Sequence, residues 1–367
     1  MAMYRPPLDF PFLENLEVPP EWDAAARGFL KVGGVAMVLG APDSGKSTLS
    51  RYLIYRAYAA GKPAALVDLD LGQSHLGPPA TLGLGLFPPR APGDDSLFPE
   101  ALYFIGQTSP KGALLEVAAG SRVLVDEAAR RGVRRVVVNT SGYVEGPGAV
   151  RLKLAQVELL RPSLLLALER RGELTALLQA LAPPGGKRLL RLPVSSRAKD
   201  KTPQERRRYR EERFRRYFAR AQSLNLPREA LTWLGLPLSQ GRPLTVAELV
   251  EIGQSLGIRP RAGESQGRGL MLFLEEPPAG HLILPPDLGK TWDAVRWLTL
   301  MALNLRLVGL LDGRRRTLGL ALLRAETWDP DEVSFWTPLP KADASRVCYV
   351  KVGPMRLSLE GQELDYV

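Results

Sequence analysis

The sequence predicts an α/β protein: a doubly wound, mostly parallel sheet with a smaller β-rich domain behind it. Two observations carry this. From about residue 33 to residue 220, short apolar runs alternate with helical patterns, as in a sheet covered on both faces. After about residue 226 the texture changes to strand-like pieces separated by turn signals such as Leu311-Asp312-Gly313. A chain of 367 residues also exceeds what one compact core supports. The expected division is an arm at 1–32, a sheet domain at 33–225 and a β-rich domain at 226–367.

The elements follow in order. Residues 33–40 (GGVAMVLG) form an apolar run closed by glycine, then a helical pattern extends through Tyr58. Residues 63–70 (PAALVDLD) read as a second buried strand ending in carboxylates. Further strands are expected at 102–106, 134–141, 164–169 and 188–193, with helices near 113–131, 149–161 and 172–181. A basic helix at 203–220, with Pro203 at its start, closes this half. In the C-terminal part, helical signals at 245–256 and 291–303 are mixed with strand candidates, among them HLILP at 281–285. The tryptophans there (Trp233, Trp292, Trp297, Trp328, Trp336) are expected to fill cores.

Composition excludes several classes. Apolar residues at 45% and charged residues at 24% rule out wholesale disorder. No apolar run reaches the roughly 18–20 residues needed to cross a bilayer. The first twenty residues carry acidic side chains and prolines where a signal peptide needs a continuous apolar core. One cysteine, Cys348, and two histidines, His75 and His281, exclude an internal disulfide and a Cys- or His-rich metal centre. A cytoplasmic protein without structural metal is expected. The net charge of +10 favours polyanionic partners, and its distribution is informative. Between Arg197 and Arg220 stand 11 basic and 4 acidic residues, so +7 of the +10 lies in one segment that calls for a local anion.

Gly40-Ala41-Pro42-Asp43-Ser44-Gly45-Lys46-Ser47 fits G-x-x-x-x-G-K-[ST] between a buried strand and a helix, the context that the motif demands. Its glycines let backbone amides turn inward onto phosphate oxygens at the helix N-terminus. Gly40, Asp43, Ser44, Gly45, Lys46, Ser47 and Thr48 are therefore the candidate nucleotide-binding residues. Lys46 would neutralise the β- and γ-phosphates, and the Ser47 hydroxyl would ligate magnesium. The fold expected is that of a P-loop NTPase.

Asp68 and Asp70 alternate at the end of the second strand, which places both side chains on one face of it. Ligands of open α/β sheets bind beyond the carboxyl ends of the strands, where the phosphate loop also opens. Either carboxylate could hold the magnesium shell or accept a proton from an attacking hydroxyl. In the basic helix, steps of about 100° per residue put Arg207 and Arg210 on the apolar stripe of Phe214, Tyr217 and Phe218. Two arginines continuing such a stripe suit a lid that brings guanidinium groups to a triphosphate. A basic nucleic-acid-binding face is the alternative. His75 reads as a polar loop residue and Cys348 as a small core residue.

GAPDSGKST, VDLDLGQ with PPAT, FIGQTSPKG, NTSGYVEGPG and ERRRYREERFRRYF occur in an order that resembles the polynucleotide 5′-hydroxyl kinases. That family includes the RNA kinases of pre-mRNA 3′-end, tRNA and ribosomal RNA processing and shorter archaeal and bacterial members. The likeness spans about 33–220, and the C-terminal part resembles the small β domain of the ribosomal RNA-processing branch. It implies transfer of the γ-phosphate of ATP, or another NTP, to the 5′-hydroxyl end of RNA or DNA with Mg2+. It further implies that Lys46 and Ser47 serve the nucleotide and metal, that Asp70 is the general base, and that Arg207 and Arg210 belong to the lid. Thr140-Ser141-Gly142-Tyr143 stands where the family has Thr-x-Gly-Trp, whose ring lies under the terminal base of the substrate. Gln73, Thr108 and Ser109, with Thr140, Gly142 and Tyr143, are then the substrate-side candidates. The competing readings are an NTP hydrolase or switch protein whose arginine helix is a partner surface, and an ATP-binding scaffold of an RNA-processing complex.

Overall fold

The computed structural model describes residues 17–87, 99–181, 189–235, 241–325 and 331–366. The chain divides into two units, one ending at Arg210 and the other beginning at Glu211, so the division falls inside a helix.

The first unit contains α1 (Pro20–Val32), β1 (Val35–Gly40), α2 (Lys46–Ala59), β2 (Ala64–Asp68), β3 (Thr81–Phe87) and β4 (Ala101–Phe104). It continues with α3 (Leu114–Arg130), β5 (Val136–Asn139), α4 (Pro147–Leu160), β6 (Leu164–Glu169), α5 (Thr175–Leu181), β7 (Leu189–Pro193) and the start of α6 (Pro203–Phe218). Its strands run in the order β4-β3-β2-β5-β1-β6-β7. The five strands from β2 to β7 in that order are mutually parallel, while β3 is antiparallel to β2 and to β4.

The alternation along β1 shows why both faces are covered. Ala36 and Val38 pack with Trp22 and Phe29 of α1 and Leu49 and Leu53 of α2, whereas Met37 and Leu39 pack with Leu177 and Leu178 of α5. The α1 helix lies within the span expected as an arm, and its Trp22 is fully buried and donates from Nε1 to Pro193 O at 2.9 Å. The strand β3 is not among the expected strands, because TLGLGLF alternates leucine with glycine. Those glycines serve Leu76, since a Cβ on Gly83 would lie 2.8 Å from the Leu76 Cβ. The parallel strands direct the carboxyl ends of β1, β2 and β5 to the same edge, which positions the site.

The second unit holds the rest of α6, then β8 (Gln222–Pro227), β9 (Thr232–Leu234), β10 (Arg242–Pro243), α7 (Val246–Leu256), β11 (Pro260–Gln266) and β12 (Gly269–Leu274). After these come α8 (Pro286–Gly289), β13 (Ala294–Thr299), α9 (Leu300–Leu303), β14 (Arg306–Leu311), β15 (Thr317–Arg324), β16 (Glu332–Thr337), β17 (Tyr349–Leu357) and β18 (Glu363–Tyr366). One sheet follows the path β18-β17-β14-β15-β16-β8 with β9 beside β17, and a second is β10-β11-β12-β13. The capping box of Thr245 and Glu248 starts α7.

Two expectations are corrected here. The helical signal at 291–303 is mostly the strand β13, because parallel pairing with the buried β12 overrides local propensity. HLILP at 281–285 is neither strand nor helix; Pro285 and Pro286 end the run and open the short α8. Trp292 is buried and Trp233 and Trp336 are half-buried, but Trp297 is exposed on β13; Trp328 lies outside the described residues.

Candidate active site

The phosphate loop joins β1 to α2. Gly40 admits no side chain, because a Cβ there would lie 3.0 Å from Leu168 O and 3.2 Å from the Lys46 Cγ. Asp43 (φ 55°) and Gly45 (φ 86°) take left-handed backbone, which curls the loop. No side chain caps α2, so its first-turn amides are left for an anion. Ser44 is buried with its hydroxyl unpartnered, and Thr48 lines the cavity beyond. The Lys46 ammonium is buried and donates to Ala41 O at 2.5 Å. Burial lowers its pKa, and the carboxylates of Asp70, Asp43 and Asp68 oppose that shift.

The two carboxylates at the end of β2 and just beyond it do not share one strand face. The strand ends at Asp68, whose fully buried side chain accepts from His75 N at 2.7 Å, Asn139 Nδ2 at 2.9 Å and Asp70 N at 3.1 Å. Burial, and then the charge of Asp70, pushes Asp68 up to about 6 against the pull of those donors. Asp70 lies past the strand, in a turn where its Oδ1 accepts from Gln73 N at 2.9 Å and Gly72 N at 3.1 Å. No protein donor among the described residues reaches its Oδ2, and Asp70 lines the cavity that Asp68 stands behind.

Asn139, at the end of β5 and in register with Asp68, ties these parts together. Its Nδ2 also donates to Ser47 Oγ at 3.1 Å, and its buried Oδ1 has no partner. Ser47 and Asp70 thus present hard oxygen donors to the cavity, a set that fits Mg2+ completed by substrate phosphates and water, while Asn139 orients Ser47 from behind. Among the described residues no cluster of three His, Cys, Asp or Glu side chains forms a metal cage, and such a phosphate-completed site needs none.

Lys46, Ser47 and Asp70 open into a cavity of about 920 Å3. On one side Thr108, Ser109 and Lys111 follow β4, and Ser141, Gly142 and Tyr143 follow β5. Gln107 Nε2 donates to Ser109 O at 2.6 Å and also to Lys111 O, which steadies that loop. The Lys111 Nζ stands 5.9 Å from the centre of the Tyr143 ring. Gly142 presses on the phosphate loop, for a Cβ there would lie 2.8 Å from Pro42 N. Gln73 and His75 also line the cavity, and Gln73 Oε1 accepts from Lys201 Nζ at 2.7 Å. Thr140 does not line it. Its side chain is buried and its hydroxyl donates to Val38 O at 2.8 Å, because the residue directly after β5 still lies against β1.

The helix α6 supplies Arg206 and Arg210 to the cavity wall. Arg206 Nη2 pairs with Asp43 Oδ2 at 2.7 Å, and Lys201 N donates to the same oxygen at 3.0 Å. Burial raises the Asp43 pKa, but the Lys201 amide and Arg206 outweigh it and hold the carboxyl below its ordinary value. Arg207, chosen from the aromatic stripe, is exposed and outside the wall. The physical reason is that Phe214 serves the packing of the second unit, where Gly361 abuts it, so a stripe drawn on it meets the cavity face at Arg210 and leaves it at Arg207. Arg206 and Arg210, one turn apart, do mark it. Sequence reasoning also missed Asn139 and the buried Lys153. The only available signals were an asparagine ending VVVN and a lysine between leucines of α4.

The strand–loop–helix unit, the buried lysine and the oxygen donors define a P-loop nucleotide-binding protein. The sequence model of the family described as mRNA cleavage and polyadenylation factor CLP1 P-loop matches residues 40–220. A polyribonucleotide 5′-hydroxyl-kinase of Thermococcus kodakarensis is 31% identical over 334 residues, covering 89% of each chain. One from Pyrococcus horikoshii is 28% identical over 350 residues, covering 95% of this chain and 93% of that one. The solved structure of wild-type Clp1p with Pcf11p superposes with a TM-score of 0.59 at 14% identity, over 91% of this chain and 78% of that one, and shares the fold. The chain belongs to the family of the CLP1 proteins and polyribonucleotide 5′-hydroxyl-kinases.

Proposed function

We propose that this protein is a polynucleotide kinase, transferring the γ-phosphate of ATP or another NTP to the 5′-hydroxyl end of RNA, with Mg2+. The observation that carries the reading is Asp70. It lines a cavity with a phosphate loop on one side and the Thr108–Lys111 and Ser141–Tyr143 loops on the other, and among the described residues no donor reaches its Oδ2. The family likeness supports the same reaction, and the relatives' names specify a polyribonucleotide.

The roles follow from charge and position. Lys46 and the first amides of α2 hold the β- and γ-phosphates. Ser47 and Asp70 divide the next two tasks: Ser47, with the phosphates and water, would hold magnesium, which when bound neutralises charge on the phosphates, and Asp70 faces the 5′-hydroxyl. Asp68 supports them from behind through Asn139 and the Asp70 amide. The 5′-hydroxyl oxygen attacks the γ-phosphorus as its proton passes to Asp70 Oδ2, and the bond to the β-phosphate oxygen breaks to release the nucleoside diphosphate. Arg206 and Arg210 stabilise the charge of the moving phosphoryl group, and the Tyr143 ring carries the terminal base. Arg207 serves α6 from its exposed face, as a contact for the polynucleotide backbone. The reading includes a cytoplasmic location; among the described residues no helix is long and apolar enough to cross a membrane.

The test is to incubate the protein with γ-labelled ATP and oligonucleotides ending in 5′-hydroxyl or 5′-phosphate. Label is expected on the 5′-hydroxyl RNA alone. Release of labelled phosphate with no labelled oligonucleotide would make the protein a hydrolase instead.

A further inference from the structure

The helix α4 carries a lysine where a core residue belongs. Lys153 is fully buried, and Ala149, Leu152 and Gln156 beside it are buried as well. Among the described residues no carboxylate pairs with it. Its Nζ instead donates to Ser141 O at 3.1 Å and to Ser141 Oγ at 3.4 Å. Burying an ammonium group is costly, and an apolar side chain of similar volume would fill the space without that cost. The return on this burial is one fixed peptide oxygen.

The position of that oxygen matters. Ser141 follows Thr140, which is anchored through its hydroxyl to Val38 O of β1. It precedes Gly142, where the backbone lies so close to Pro42 of the phosphate loop that a Cβ would come within 2.8 Å of Pro42 N. Tyr143 comes next, and Ser141, Gly142 and Tyr143 all line the cavity. Lys153 therefore holds from below the one residue between the β1 anchor and the contact with the phosphate loop.

We infer that Lys153 is a positioning residue for the acceptor: through Ser141 it sets the height of the Gly142–Tyr143 turn, and so where the 5′-terminal nucleotide sits relative to Asp70. The inference rests on the kinase reading given above. It does not need the ammonium to be charged, because a neutral amine also donates to both Ser141 oxygens. Burial, and then Lys46, lowers the Lys153 pKa to about 7, in keeping with a role as donor and not as counter-ion.

The experiment compares Lys153→Met, which keeps the length and removes the donor, with Lys153→Gln, which keeps an N–H. Wild type is assayed beside them for label transfer to 5′-hydroxyl RNA. Lys153→Met is expected to melt at or above the wild-type temperature, since the burial cost is gone. Its KM for the oligonucleotide is expected to rise about tenfold or more, within the range for a misplaced reactant, while KM for ATP stays within about twofold of wild type. Lys153→Gln is expected to recover part of the loss. An unchanged oligonucleotide KM in folded Lys153→Met, an equal rise in both KM values, or a loss that tracks a fall in melting temperature would overturn the inference. If wild type itself labels no oligonucleotide, the kinase reading fails first, and the inference falls with it.

Discussion

The carboxylate of Asp43, in the phosphate loop, holds the guanidinium of Arg206, on α6, at 2.7 Å. With the Lys201 amide on the same oxygen, the start of α6 is tethered to the loop that binds the phosphates. Arg206 is thereby kept at the cavity wall beside Arg210, and on the kinase reading proposed above a triphosphate would compete with Asp43 for it.

The first prediction concerns which arginines act on the phosphoryl group. Arg206→Ala and Arg210→Ala are each expected to lower kcat by about 10²-fold or more, the range for a lost charge-stabilising donor. Arg207→Ala is expected to leave kcat largely intact and to raise KM for RNA in a salt-dependent way. Turnover and KM at two salt concentrations check this. A collapse of kcat in Arg207→Ala with Arg206→Ala near wild type would restore the aromatic-stripe assignment.

Tyr143 is expected to act through its ring. Alanine there should raise KM for the oligonucleotide by an amount corresponding to about 1–3 kcal/mol, the worth of a base–aromatic stack, and leave KM for ATP unchanged. Phenylalanine should be nearly silent. Equal effects of the two substitutions would assign the role to the hydroxyl.

Lys153 is expected to leave a mark on stability. Its pKa is lowered to about 7 in the folded protein from an ordinary value of 10.5. Between those values the unfolded chain binds the proton and the folded one does not, so this residue makes stability rise with pH through that window. Below about 7 both states bind the proton, and its contribution becomes constant. Urea unfolding at pH 7, 8 and 9 should show the rise in wild type and a flatter dependence in Lys153→Met. Parallel slopes would mean that Lys153 titrates alike in both states.

Much of this site was legible in the residues because its chemistry is local. A phosphate loop needs glycines and a lysine at fixed spacing, so Gly40, Gly45, Lys46 and Ser47 announce themselves. Asp70 was also legible, as a carboxylate following a buried strand. What was hidden depends on tertiary placement. That Asp68 stands behind the cavity follows from the strand stopping there, with Asn139 in register beside it. A helical wheel oriented on Phe214 and Phe218 takes in Arg210 but not Arg206, one turn before it on the cavity side. Thr140 shares a motif with Gly142 and Tyr143, yet one residue of chain separates a side chain held by β1 from neighbours that line the cavity. The residues of β13 carry a helical pattern, and their strand is set by pairing with β12, which local periodicity does not show.

Lys46 separates donor binding from everything else. Lys46→Ala is expected to abolish transfer and to weaken ATP binding. Of the lysines lining the cavity, Lys46 alone belongs to the phosphate loop, whereas Lys111, Lys199 and Lys201 come from other loops. Binding of a fluorescent ATP analogue, measured beside the transfer assay, checks both halves. Near-normal turnover would remove the phosphate loop from the mechanism.

The most direct test of direct transfer to the 5′-hydroxyl is a single-turnover experiment on wild type and Asp70→Asn with γ-labelled ATP and 5′-hydroxyl RNA. Wild type is expected to move the label onto RNA. Asp70→Asn is expected to bind ATP with similar affinity and to transfer about 10²–10⁴-fold more slowly, the range for a lost general base. Transfer at the wild-type rate by Asp70→Asn, or label released by wild type only as free phosphate, would contradict it.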